Sequence, residues 1–70
     1  MNVHLYLTNG NDVSLSIHRV IDDIRFQSNE DILKYILSTV KTSRIYKISP
    51  IMGMETTYVL SSHICKITIE

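Results

Sequence analysis

The sequence predicts a small α+β domain: a mostly antiparallel sheet in the order β-β-α-β-β-β, with one long helix packed on a face. Three observations carry this. Segments near both ends alternate apolar and polar residues with the period of a half-buried strand, residues 29 to 42 place their apolar groups on one helical stripe, and short connections and hairpins make the sheet mostly antiparallel. Seventy residues make one domain, 1–70, and a chain of this length buries only about 60% of the surface its unfolded form exposes. Eleven isoleucines supply stiff, strand-favouring side chains for the core.

The first element pair is a hairpin. Val3, Leu5 and Leu7 alternate with His4, Tyr6 and Thr8, and Val13, Leu15 and Ile17 alternate with Ser14, Ser16 and His18. Asn9-Gly10 is the usual signal for a two-residue loop, but that loop would set Leu5 against Ser14 and Leu7 against Asp12. Cross-strand partners share a face, so such a register mixes apolar with polar groups. Pairing Leu7 with Val13, Leu5 with Leu15 and Val3 with Ile17 instead keeps the sets apart. It predicts a three-residue loop, Asn9-Gly10-Asn11, in which Gly10 or Asn11 takes the left-handed conformation. Burial worth about 1.5 to 3 kcal/mol per large apolar side chain outweighs the local turn preference.

Ile17, Val20, Ile21 and Ile24 fit a short helical stripe, while Ile24-Arg25-Phe26 alternates like a strand, so residues 18–26 read either way. Ser28 is a helix start signal, because its hydroxyl can accept from the amides that follow while Glu30 and Asp31 sit at the positive end of the helix. Ile32, Leu33, Ile36, Leu37 and Val40 then form the stripe. Beyond the helix the chain reads as β: Arg44 to Ser49, Thr56 to Leu60, and His63 to Ile69 after a turn at Ser61-Ser62 that sets Tyr58 opposite Cys65 on the core face and Val59 opposite Ile64 on the other.

Composition narrows the function. Cys65 is the only cysteine, so no internal disulfide forms, and no zinc-finger spacing of cysteine and histidine is present. No basic segment leads into an apolar one at the amino terminus and no run of eighteen apolar residues occurs, which predicts a cytoplasmic protein with no membrane span. Seven bases balance seven acids, so no net field attracts nucleic acid, although the charges are segregated: five acids fall between Asp12 and Asp31, and four bases with no acid between Lys34 and Lys47. Gly10 and Gly53 are the only glycines, too few for a phosphate-binding loop, and no serine elbow occurs.

The chemistry-bearing residues have simpler readings. In the register above His4 faces Ser16 and lies diagonally across from His18, about 7 to 8 Å away at Cα, with Tyr6 and Ser14 beside them and no carboxylate on that face. A solvated strand face accounts for it. His63 and Cys65 share one strand face but lack further ligands, and Asp22-Asp23 reads as a pair of solvated turn acids. No catalytic residue, cofactor or metal is expected.

Two surfaces remain. The loop PIMGM exposes Ile51, Met52 and Met54 where polar residues are the rule, and with Val59, Ile64 and Lys66 these form the expected protein contact. The last strand, ICKITIE, is material for strand addition with Lys66 and Glu70 as its guards. The expected function is therefore a non-enzymatic protein-interaction module that self-associates. The alternative is a small nucleic-acid-binding regulator using Lys41, Arg44, Tyr46 and Lys47, whose mixture of bases, hydroxyls and an aromatic ring suits phosphate contact and base stacking.

Overall fold

A computed structural model of the protein describes residues 2–53 and 55–70. Among these residues the order is β1 (Val3–Leu7), β2 (Asp12–Leu15), β3 (Arg19–Ile21), β4 (Ile24–Arg25), α1 (Asn29–Thr39), β5 (Ile45–Pro50), β6 (Thr57–Leu60), a 3₁₀ turn (Ser61–His63) and β7 (Ile64–Ile69). The α+β class holds, with one long helix and antiparallel pairing throughout. The strands divide into two sheets, β2-β1-β7 and β4-β3-β5-β6, where the sequence suggested one.

The β1–β2 hairpin keeps the expected separation of faces but slips by two residues. Leu5 pairs with Val13 and Val3 with Leu15, against the expected Leu7 with Val13 and Leu5 with Leu15. The loop has three residues, as expected, but they are Thr8-Asn9-Gly10: the Leu7 amide donates to the Asn11 carbonyl at 2.8 Å and the Gly10 amide to the Leu7 carbonyl at 3.1 Å. Gly10 closes it at φ +90°, a conformation that only glycine takes without strain. Ile17 is therefore left beyond the end of β2.

Residues 19–25 form a second hairpin rather than a helix. Asp22 and Asp23 make its two-residue turn, with φ values of 52° and 65° between the paired Ile21 and Ile24. Positive φ at both positions is the requirement of the turn whose twist suits adjacent strands, and Asp is among the few non-glycine residues that accept it.

Ser28 caps α1 as predicted, its Oγ accepting from the Asp31 amide at 3.2 Å. The helix stops at Thr39 with Val40 as its cap, short of the expected residue 42. Ile32 and Ile36 are fully buried, and the inward face turns toward Tyr35 and Thr39, which leaves Leu37 half exposed. These two residues join the polar cluster described below, which explains the rotation.

The largest departure lies at the carboxyl end. β6 pairs with β5, and β7 pairs with β1, so the two do not face each other. Ser61 makes the switch between sheets. It is buried, its amide donates to the Arg44 carbonyl at 2.9 Å, and its hydroxyl donates to the Thr42 carbonyl at 2.9 Å. As a result Val59 lies in the core opposite Tyr46 while Tyr58 faces outward, reversing the expected sides. The core is shared by both sheets and the helix: Val3, Leu5 and Leu15 from one sheet, Ile21, Tyr46, Ile48 and Val59 from the other, and Ile32 and Ile36 from α1.

Candidate interaction site

The residues expected to form one contact surface are dispersed. Val59 is 3% exposed and belongs to the core. Ile51 and Met52 are exposed after β5 and border a shallow depression with His18, Arg19 and Pro50. Met54 lies outside the described residues. Ile64 and Lys66 border a different depression, formed with Leu37, Val40, Cys65 and Ile67 between the helix and β7.

A surface that the sequence reading missed lies on the outer side of β5 and β6. Ile45 faces Leu60 directly and Lys47 faces Tyr58, and Ile45, Leu60 and Tyr58 are 58%, 42% and 62% exposed. The alternation in TTYVL was visible, but its direction depends on which strand lies beside it. Pairing β6 with β7 turned Tyr58 inward, whereas the pairing with β5 turns it out.

The second open surface is the flank of β7. This six-residue strand is the edge of its sheet. Leu37, Val40, Ile64 and Ile67 line the apolar depression beside it. Cys65 is exposed, and its thiol donates to the Tyr6 carbonyl at 3.3 Å, at the place where the β1–β7 register is irregular. On the outer face of this sheet the Tyr6 hydroxyl donates to Glu70 Oε2 at 2.6 Å and Thr68 Oγ1 donates to the same oxygen at 2.8 Å. The bond to Glu70 raises the Tyr6 hydroxyl above its ordinary pKa, and the two donors hold the Glu70 carboxyl below the usual carboxylate range.

The basic segment is drawn into the fold. Tyr46 is fully buried, with its hydroxyl 2.7 Å from Thr39 Oγ1. Arg44 Nη2 donates to Asp22 Oδ2 at 2.7 Å and to the Tyr35 hydroxyl at 3.0 Å, and the guanidinium lies over the Tyr35 and Tyr46 rings at 5.5 and 5.1 Å. Tyr35 donates its hydroxyl hydrogen to Asp22 Oδ2, while Asp22 Oδ1 accepts from the Lys47 amide at 2.9 Å. Lys47 Nζ reaches Asp23 at 3.3 Å. Burial, and then the bond to Asp22, push the Tyr35 hydroxyl up. Asp22 is thus no solvated turn acid but the centre of a cluster joining the β3–β4 turn, α1 and β5. Only Asp23 fits that description.

The histidines do not meet as the earlier register suggested. His4 faces Ser14, its Nδ1 lies 3.5 Å from Asp12 Oδ2, and its ring stacks on Tyr6 with centroids 6.2 Å apart. The two-residue slip moves Asp12, on the same face as Ser14, from opposite Thr8 to opposite Tyr6 and so beside His4, and His18 falls in the turn leading to β3. Among the described residues no three metal-ligating side chains come together, and no helix is long and apolar enough to cross a membrane. No protein-family model, curated protein or solved structure matches the chain.

Proposed function

We propose that the protein is a non-enzymatic interaction module that binds protein, including a second copy of itself. The observation that carries this reading is the grouping of exposed apolar side chains. Single exposed hydrophobics are ordinary on any surface, but here Ile45, Leu60 and Tyr58 adjoin on one open sheet face, and the half-exposed Leu37 lies beside the partly buried Ile64 and Ile67 along a free strand. A seventy-residue chain without disulfides gains most by covering such surfaces.

The nucleic-acid reading has weaker support. The Tyr46 ring is buried away from any nucleobase, and Arg44 and Lys47 each have an acid beside them, so of the three basic residues Lys41 alone has no ion pair among the described residues. Solution mass across a dilution series tests the proposal. The expected result is a mass approaching twice the 8.1 kDa monomer at high concentration and falling on dilution. A mass fixed at 8.1 kDa over the whole series overturns self-association.

A further inference from the structure

We propose that two copies of the chain pair antiparallel along β7, with Thr68 on the two-fold axis, so that β2-β1-β7 continues into its own copy as one six-stranded sheet. This rests on the self-association proposed above and names its surface, partner and register.

The direction of the main-chain groups comes first. Asn2 and Glu70 exchange a reciprocal pair of backbone hydrogen bonds, Asn2 donating at 2.6 Å and Glu70 at 2.9 Å. Antiparallel ladders alternate, so Thr68 and Lys66, opposite His4 and Tyr6, also direct their amides and carbonyls toward β1. Those of Ile67 and Ile69 point the other way, to the open edge. Edge strands are usually protected by a charge that stands in the way of an incoming strand. The two guards expected from the sequence do not stand there. Lys66 Nζ lies 5.2 Å over the Tyr6 ring and Glu70 accepts from the Tyr6 hydroxyl, so both lean back over β1.

A second copy is the occupant that this edge fits. A register placing Thr68 opposite the partner's Thr68 sets each Ile67 opposite the partner's Ile69, and the outward amides and carbonyls of both copies then meet in two reciprocal pairs. Lys66 falls at the position opposite the partner's Glu70, so the register opposes no like charges. Ile67 and Ile69 share the face of Leu5 and Val3, and pairing them across the axis extends the apolar surface beside the half-exposed Leu37. A shift by one residue would oppose apolar to polar side chains and turn the outward amides away from each other. The seam is short of the roughly 1,200 Å² of a stable interface, which predicts association that dissolves on dilution.

The test uses the full chain with a cysteine on the axis. Directly opposed residues of this non-hydrogen-bonded type lie about 4.5 Å apart at Cα, within disulfide range. Under mild oxidation Thr68→Cys in a Cys65→Ser background is expected to form a covalent dimer, while the wild-type chain, whose Cys65 lies far from its copy in this register, does not. In the dilution series Lys66→Glu and Glu70→Lys should each weaken dimerisation about tenfold, the change expected from about 1.4 kcal/mol of like-charge opposition, and the double exchange should restore it. A dimer that forms without the Thr68→Cys link and ignores both charge changes places the interface elsewhere, which overturns this register and leaves self-association intact. A strict monomer overturns both.

Discussion

Asp22 and Asp23 are neighbours of the same type in the same unusual backbone conformation, yet the structure predicts opposite responses to one substitution. In Asp22→Gly the carboxylate that accepts from Arg44 at 2.7 Å, from the Lys47 amide at 2.9 Å and from Tyr35 disappears. Hydrogen bonds to a charged group contribute about 1.5 to 3 kcal/mol each, non-additively, and breaking a buried pair costs about 3 to 5 kcal/mol because the remaining charge is uncompensated. Arg44 is about one-third exposed, with its Nε buried and unpartnered, so the lower part of that range applies. Relief of the positive φ returns about 1 kcal/mol, and the looser unfolded chain removes about 0.4 to 1 kcal/mol again. The net loss is about 2 to 4 kcal/mol. For a domain whose whole stability is about 4 to 10 kcal/mol this is a large fraction.

Asp23→Gly faces the same backbone terms and loses only an ion pair to Lys47 from a side chain that is 79% exposed, a contact worth about 0 to 1 kcal/mol. It also creates Asp-Gly, a preferred pair for this turn, so the expected change is within about 0.5 kcal/mol. Urea denaturation followed by circular dichroism measures both, with the midpoint compared at unchanged slope. Equal effects at the two positions, or a loss below about 1 kcal/mol for Asp22→Gly, would refute the assignment of Asp22 as the hub of the cluster.

Two further outcomes follow from the helix and its neighbours. Ser28→Ala removes the acceptor for the Asp31 amide and should cost about 1 kcal/mol in the same assay, whereas Ser28→Asp should cost little, since aspartate caps as well. The Tyr35 hydroxyl, held above its ordinary value near 10 by burial and the bond to Asp22, keeps its proton longer in the folded chain than in the unfolded one. Its contribution is therefore fully present below pH 10 and is lost as pH rises through the folded value, and a stability profile of Tyr35→Phe should lack that part of the alkaline decline.

The first hairpin shows how far sequence reasoning reaches. Matching apolar residues across the strands excludes the two-residue loop, because an odd shift mixes the faces. It cannot distinguish shifts of two: Leu5 meets an apolar partner whether that partner is Leu15 or Val13. The choice falls to the loop, where glycine belongs at the third position, and Gly10 takes it. The helix was readable from its cap and stripe because those signals are local. The β3–β4 hairpin was not, since Ile21 and Ile24 fit a helical spacing as well as a pair flanking a two-residue turn. The orientation of β6 depended on a partner far along the chain, and the one local trace of the sheet switch is a serine, Ser61, whose burial no alternation pattern announces.

The charge segregation along the chain has a comparable resolution. Read in sequence, an acidic stretch followed by a basic one suggests a dipole with one end free to attract an anion. In three dimensions the β3–β4 turn folds beside β5, and the two stretches meet as Asp22 with Arg44 at 2.7 Å and Asp23 with Lys47 at 3.3 Å. Pairs this close cancel most of their outward field, since opposite charges a few ångströms apart look neutral beyond a Debye length of about 8 Å. The polar groups with the strongest interactions are thus directed at each other across the join of turn, helix and strand. Apolar side chains stay exposed on the outer face of β5 and β6, and β7 keeps one edge without a neighbouring strand. Recognition by such groups is short-ranged and tolerant of salt, so raising ionic strength should leave association nearly unchanged apart from the modest part contributed by Lys66 and Glu70 across the axis.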